Sequence, residues 1–107
     1  MTTSLPILEE RGLLLGDATF FNLGLGSCGK QNTDKDLAVA LSSKLMSTGD
    51  YCGKKIKVVT DDGKEVICKV VDTCPSCSRN SIDLSPAAFK KLASLDKGRF
   101  KVKWSFI

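Results

Sequence analysis

A period of two runs through this chain in short stretches, and nothing else in it is as regular. Phe100, Val102, Trp104 and Phe106 alternate with Arg99, Lys101, Lys103 and Ser105. That is the pattern of a strand with one face in a core and one in water. Lys55 to Thr60 alternates in the same way, with Ile56 and Val58 opposed to Lys55 and Lys57. Asp61-Asp62-Gly63 comes next as a hairpin turn, and Lys64 to Asp72 returns as a second strand. In that strand Val66, Cys68 and Val70 share a face, which makes Cys68 a small apolar core residue. The same count puts Asp72 on that face, at the strand's end.

The remaining elements are equally short. Asp17 to Phe21 and Leu37 to Leu41 read as strands, and Ile82-Asp83-Leu84 as a third. Ser42 and Ser43 cap a brief helix through Met46. Ser85-Pro86 opens a second helix, Ala87 to Leu95, with Ser85 as N-cap and proline in the first turn. This helix buries Ala88, Leu92 and Phe89. About six short strands with two short helices suggest a closed barrel, which leaves no exposed sheet edge. Residues 1–15 show no period and are expected to be a leader remnant or flexible segment, with the barrel domain at 16–107. Met1-Thr2-Thr3-Ser4 has neither the basic start nor the apolar run of a signal peptide, so a signal is expected to have been removed.

Composition narrows the function classes. Of 107 residues, 42% are hydrophobic and 26% charged, a globular balance. The longest apolar run, Leu13-Leu14-Leu15, is far too short to cross a bilayer. The net charge is +4 and there is no histidine. Ser-His and Cys-His catalysis and histidine metal sites are therefore excluded. Scattered lysines without interleaved aromatics argue against nucleic acid; the mild positive charge reads first as a solvated basic surface, and it also suits an acidic surface such as pectin or an anionic wall polymer. The glycine-rich run Gly24 to Gly29 lacks the Lys-Ser/Thr pair and the helix that a phosphate cradle needs.

Five cysteines, Cys28, Cys52, Cys68, Cys74 and Cys77, indicate disulfides and an oxidising compartment. Cys74-Pro75-Ser76-Cys77 lacks the βαβ context of a redox pair, and no metal site is expected. With Cys68 set aside as a buried thiol, the other four allow three pairings.

Two carboxylates stand beside structured loops: Asp72 in Val70-Val71-Asp72-Thr73-Cys74-Pro75, and Asp83 in Ile82-Asp83-Leu84-Ser85-Pro86. Either can hydrogen-bond sugar hydroxyls or act as a general acid. Either can also serve structure alone, Asp72 by bonding loop amides and Asp83 as a turn residue.

From about residue 16 onward the chain resembles the double-psi β-barrel of expansins, loosenins and bacterial rare lipoprotein A domains. The matching pieces are Gly16 to Phe21, Gly26-Ser27-Cys28-Gly29, Tyr51-Cys52-Gly53-Lys54, Val71 to Pro75, Ile82 to Phe89, and Val102-Lys103-Trp104. The resemblance implies a mainly β, six-stranded double-psi β-barrel, secreted and monomeric. It implies that Asp83 is the activity-linked carboxylate and Asp72 its support, with Phe21, Asn22, Tyr51 and Thr73 completing a polysaccharide-binding surface. It favours the disulfide Cys28–Cys52, which leaves Cys74–Cys77. Trp104 matches a core position. Family 45 glycoside hydrolases share this barrel, but their second, basic aspartate is matched here by Asn22. An amide cannot accept a proton from an attacking water as a carboxylate does. The expected protein therefore binds and loosens cell-wall polysaccharide (cellulose, chitin, peptidoglycan or pectin) without hydrolysis and without a cofactor. Similar barrels among secreted papain-type protease inhibitors and effectors imply the alternative, a protein partner held by loops 24–36 and 73–81.

Overall fold

The computed structural model describes residues 12–107, so residues 1–11 of the segment expected to be a leader remnant or flexible, 1–15, lie outside it. Six strands close into one barrel in the order β1-β5-β2-β4-β3-β6. They are β1 (Leu14–Phe20), β2 (Ala38–Ser42), β3 (Lys55–Val59), β4 (Glu65–Cys74), β5 (Ile82–Leu84) and β6 (Phe100–Phe106). Helix α1 (Ser43–Met46) comes after β2, and α2 (Pro86–Leu92) after β5. β1 runs parallel to β5, and β2 parallel to β4, while the other neighbours are antiparallel. This is the double-psi barrel.

Most boundaries fall where the pattern put them, and the exceptions have causes. β1 starts at Leu14, because Leu14 and Leu15 pair with Trp104 and Lys103 of β6. The barrel thus begins two residues ahead of 16. β4 runs to Cys74, since the parallel partner β2 holds Thr73 and Cys74 in register. Helix α2 stops at Leu92, short of Leu95. Ala93 is extended, and Ser94 caps a separate 3₁₀ turn over Leu95–Lys97. The hairpin at 61–63 forms as expected, with the Thr60 and Lys64 backbones joined and Gly63 at φ +90°. A side chain would be strained at that angle.

The core takes its volume from Trp104, Phe89, Leu41, Ile56, Ile82 and Leu84, all fully buried. Phe89 of α2 sits edge-on between Phe20 and Phe100, at 4.9 and 5.2 Å. Trp104 is a core residue as expected, and its indole N–H donates to the Asn80 carbonyl at 2.8 Å, so no polar atom is stranded. Disulfides join Cys28 to Cys52 and Cys74 to Cys77, and Cys68 is the buried free thiol. The first closes a 24-residue separation, a constraint on the unfolded chain of about 3 kcal/mol.

One expectation fails in β4. Val66, Cys68 and Val70 do face the core, but Asp72 does not join them. The β2–β4 register shifts between Val39 and Ala40, which pair with Val70 and Asp72. Val71 is the extra residue of this bulge. A one-residue insertion moves every later side chain of the strand to the other face, and Asp72 comes to stand outside, level with Ala40.

Candidate functional site

The bulge aligns four strands into one outward row. Thr19 pairs with Asp83, Asp83 with Ala40, and Ala40 with Asp72. Paired residues of adjacent strands project from the same face. The neighbours Ile82, Leu84, Val39 and Leu41 belong to the core, which leaves Thr19, Asp83, Ala40 and Asp72 on the outside. Ala40, only 2% exposed, forms a small floor between the two carboxylates. With one strand intervening, their Cα atoms lie about 10 Å apart.

The two carboxylates are held differently. Asp83 is half-buried and accepts the Thr19 hydroxyl at 2.8 Å. Burial pushes its pKa above the usual carboxylate value; the Thr19 bond and the Arg99 charge oppose the shift, and the Asp72 charge adds to it. Desolvation disfavours the ionised form, so the group takes up its proton at a higher pH than an ordinary carboxyl does. Asp83 is not consumed as a helix cap, because Ser85 Oγ accepts the Ala88 N–H and donates to the Asp36 carbonyl. Asp72 instead organises a loop. Its Oδ1 accepts N–H bonds from Ser27 at 2.9 Å and from Thr73 at 2.7 Å. The Ser27 and Thr73 hydroxyls are 2.8 Å apart.

The glycine-rich loop is pinned against the bulge. Cys28 donates its N–H to the Val71 carbonyl at 3.2 Å. A Cβ on Gly26 would collide with that same carbonyl, so this loop tolerates only glycine there. The Cys28–Cys52 disulfide anchors it from the other side.

The structure brings Asp72, Asp83 and Thr73 together and separates the other expected residues. Phe21 is half-buried, its N–H donating to the Leu84 carbonyl at 3.0 Å. Tyr51 stacks one ring face on Phe106, at 5.0 Å and 19°, with its hydroxyl on Thr48 at 3.1 Å. That face is closed to a sugar. Asn22 lies in an open cleft of about 800 Å³ at the α2 end of the barrel, and Asp34 lies there too. Asn22 Nδ2 donates to Asp34 Oδ2 at 2.8 Å, and the Leu23 N–H donates to Asp34 Oδ1 at 2.7 Å. Those two bonds, the backbone one first, hold the Asp34 carboxyl below its usual pKa.

Sequence reasoning missed Thr19, Ser27 and Asp34. Thr19 was findable, since it alternates with Ala18 and Phe20 beside the expected β5 strand. Ser27 and Asp34 belong to loops, where no period marks which side chains turn back.

Comparison with known proteins bears on all of this. A double-psi barrel family model described as lytic transglycolase matches residues 15–104. A papain inhibitor from Streptomyces mobaraensis is 36% identical over 115 residues, covering 99% of this chain and 78% of its own. The solved Streptomyces papain inhibitor superposes with a TM-score of 0.80 at 33% identity, covering 89% of this chain and 94% of that one. A mutant Clavibacter michiganensis expansin in complex with cellohexaose gives a TM-score of 0.78 at 27% identity, covering 89% of this chain but 50% of that one. An allergen homologue from Arthroderma benhamiae is 37% identical over 82 residues, 72% of this chain and 28% of the relative. The chain thus spans most of the inhibitor, half of the expansin and under a third of the allergen homologue.

Proposed function

Since the chain belongs to the double-psi β-barrel family described as lytic transglycolase, we propose that it is a secreted, monomeric wall protein that grips polysaccharide on the Thr19–Asp83–Ala40–Asp72 row and loosens it without cutting. The observation that carries this reading is Asp83: a half-buried carboxyl on the outer face, oriented by Thr19 and biased toward its protonated form, with no structural task beyond it. A protonated carboxyl donates one hydrogen bond to a hydroxyl or glycosidic oxygen and accepts others. Ala40 leaves room for a chain between Asp83 and Asp72, and the Ser27 and Thr73 hydroxyls supply further polar contacts at one end.

The reading stays non-hydrolytic because hydrolysis also needs a base for water. Asn22 stands where that base is expected. The nearby Asp34 has both oxygens engaged and a depressed pKa, and base strength falls with pKa. The expansin complexed with cellohexaose supports a glycan ligand by analogy.

The test is retention of wild type and Asp83→Asn on insoluble cellulose, chitin, peptidoglycan and pectin, with wall extension and reducing ends measured in parallel. Asp83→Asn keeps the Thr19 acceptor but cannot hand over a proton. It should lose wall loosening and bind about tenfold more weakly, because the amide oxygen is taken by Thr19 and the amide nitrogen cannot accept, so one hydrogen bond to the glycan is lost. Neither form should release sugar. Full loosening by the variant removes Asp83 from its role, and steady sugar release by the wild type makes the protein an enzyme.

A second reading, inhibition of a papain-type protease, is favoured by the end-to-end match to the papain inhibitor. The contact would fall on loops 24–36 and 73–81, the first joined to Cys52 and the second closed on itself by Cys74–Cys77. Titration of papain with the protein separates this reading from the first.

A further inference from the structure

The cleft beside the row has a chemistry of its own. Its rim carries Lys35, Lys90 and Lys91, and its floor is Phe20, Pro86 and Leu95. All three lysines are exposed, and among the described residues none of them is in an ion pair. The sole acid lining the cleft is Asp34, whose oxygens are bonded to Asn22 and to the Leu23 N–H. Among the described residues most lysines are unpaired, Lys57, Lys64 and Lys101 excepted; what marks the cleft is that three of them line one hollow against a single acid. The cleft is therefore a pocket with surplus positive charge above an apolar base. Its links to the row run along the chain: Phe20 follows Thr19 in β1, and Pro86 lies three residues past Asp83.

We infer that this cleft takes a uronic-acid residue of an acidic polysaccharide, its carboxylate among Lys35, Lys90 and Lys91 and its apolar ring face on Phe20, Pro86 and Leu95. The inference rests on the polysaccharide reading and narrows it from wall glycans in general to polyuronates. A pyranose ring has one face rich in C–H groups, which suits an aromatic and aliphatic floor. A carboxylate suits several ammonium donors converging from exposed stems. A neutral glucan would use the floor and leave the lysines unpaired.

The experiment uses the oxidised protein and three soluble probes: oligogalacturonate, a neutral cello-oligosaccharide of equal length, and polyglutamate. The cleft variant is Lys35→Gln/Lys90→Gln/Lys91→Gln. The charge control is Lys54→Gln/Lys55→Gln/Lys69→Gln, which removes equal charge from another part of the surface. Oligogalacturonate should bind the wild type more tightly than the neutral probe. The cleft variant should weaken that binding by about ten- to a hundredfold, the sum expected of three exposed ionic contacts. Its salt dependence should flatten as well. The control variant should keep more than half of the affinity, and the neutral probe should not distinguish the variants. Equal loss in both triple variants, or oligogalacturonate binding untouched by the cleft variant, overturns the inference. So does polyglutamate binding as tightly as oligogalacturonate, because the cleft would then read acidic chains without regard to sugar. If the neutral probe and insoluble walls bind normally in those cases, only the polyuronate assignment fails. If no glycan binds at all, the polysaccharide reading fails with it.

Discussion

Strand β4 is one strand with two characters. From Glu65 to Lys69 it pairs antiparallel with β3 and alternates strictly, and Val66, Cys68 and the next such residue, Val70, point inward. Its parallel pairing with β2 starts at Lys69, and past the bulge at Val71 the Asp72 and Thr73 side chains turn to the loop around Ser27. The first half holds the barrel together, and the second builds the site. A single inserted residue separates them. The proposed site lies where the regular pattern is interrupted.

The comparison can be broken by mutations that touch one half alone. The largest effect should come from Ile56→Ala, which removes the fully buried β3 partner of Cys68. Truncation of a buried isoleucine costs about 2–5 kcal/mol. Chemical denaturation should show that loss, while glycan affinity of the folded protein stays unchanged. A parallel loss of affinity would mean that the two halves are not separable.

Gly26→Ala probes the other half. Its Cβ meets the Val71 carbonyl, so the loop must lift or the bulge must shift. The cost should be about 1–3 kcal/mol, typical of overpacking. Unlike Ile56→Ala, it should also impair binding at the row, because Ser27 loses its place on Asp72. Retained binding with a displaced loop would sharpen the site down to Asp83 alone.

Cys68 reports on the first half through pH. Burial pushes its thiol up to about 12, against an ordinary value of about 8.5. A raised folded pKa contributes stability that is present below the unfolded pKa and lost as pH rises through that window. Wild type should thus lose stability above about pH 8.5 more steeply than Cys68→Ala. Thiol titration should find almost no reactive group in the native state and one after denaturation.

The smallest effect concerns Asp83 in stability and not in binding. Its folded pKa is also raised, so its favourable contribution belongs to low pH and is lost as pH rises. At pH 7 its buried charge is a cost that Asp83→Asn removes. The variant should melt slightly higher than wild type at pH 7, by a few degrees at most. The two should converge below about pH 3.9, where the carboxyl is protonated in both states. A lower melting temperature for the variant at pH 7 would show that the Thr19–Asp83 bond matters more for stability than the desolvation does.

Period two made the antiparallel part of the barrel readable, and β3, the first half of β4 and β6 fell where the alternation placed them. Ser85 and Pro86 announced α2 through cap chemistry. The bulge at Val71 left no such trace, because an extra residue among Val70-Val71-Asp72 looks like ordinary strand composition. Its position depends on β2, about thirty residues away in the chain. Strict alternation therefore puts Asp72 on the wrong face, although its place as a carboxylate beside a structured loop is legible. Asp83 was legible as a carboxylate flanked by core residues, but its bond to Thr19 links strands 64 positions apart. The disulfide pairing came from family likeness, not from the residues themselves. Asp34 was missed because loop hydrogen bonds carry no periodic signature.

The parallel pairing of β1 with β5 has a consequence in time. Thr19 can meet Asp83, and Leu14 can meet Trp104, only after nearly all of the intervening chain has been made. Topologies dominated by such distant pairings fold slowly. The β3–β4 hairpin, local and closed by Gly63, is free to form first, and a chain emerging from the ribosome would wait with that hairpin folded and its β1 unpartnered. Cys28 and Cys52 can both be exposed during that interval, together with Cys68, which in the finished barrel is out of reach. An oxidant acting early could therefore join the wrong thiols, and the rate at which β6 docks on β1 and β3 would decide how much of the protein escapes that fate.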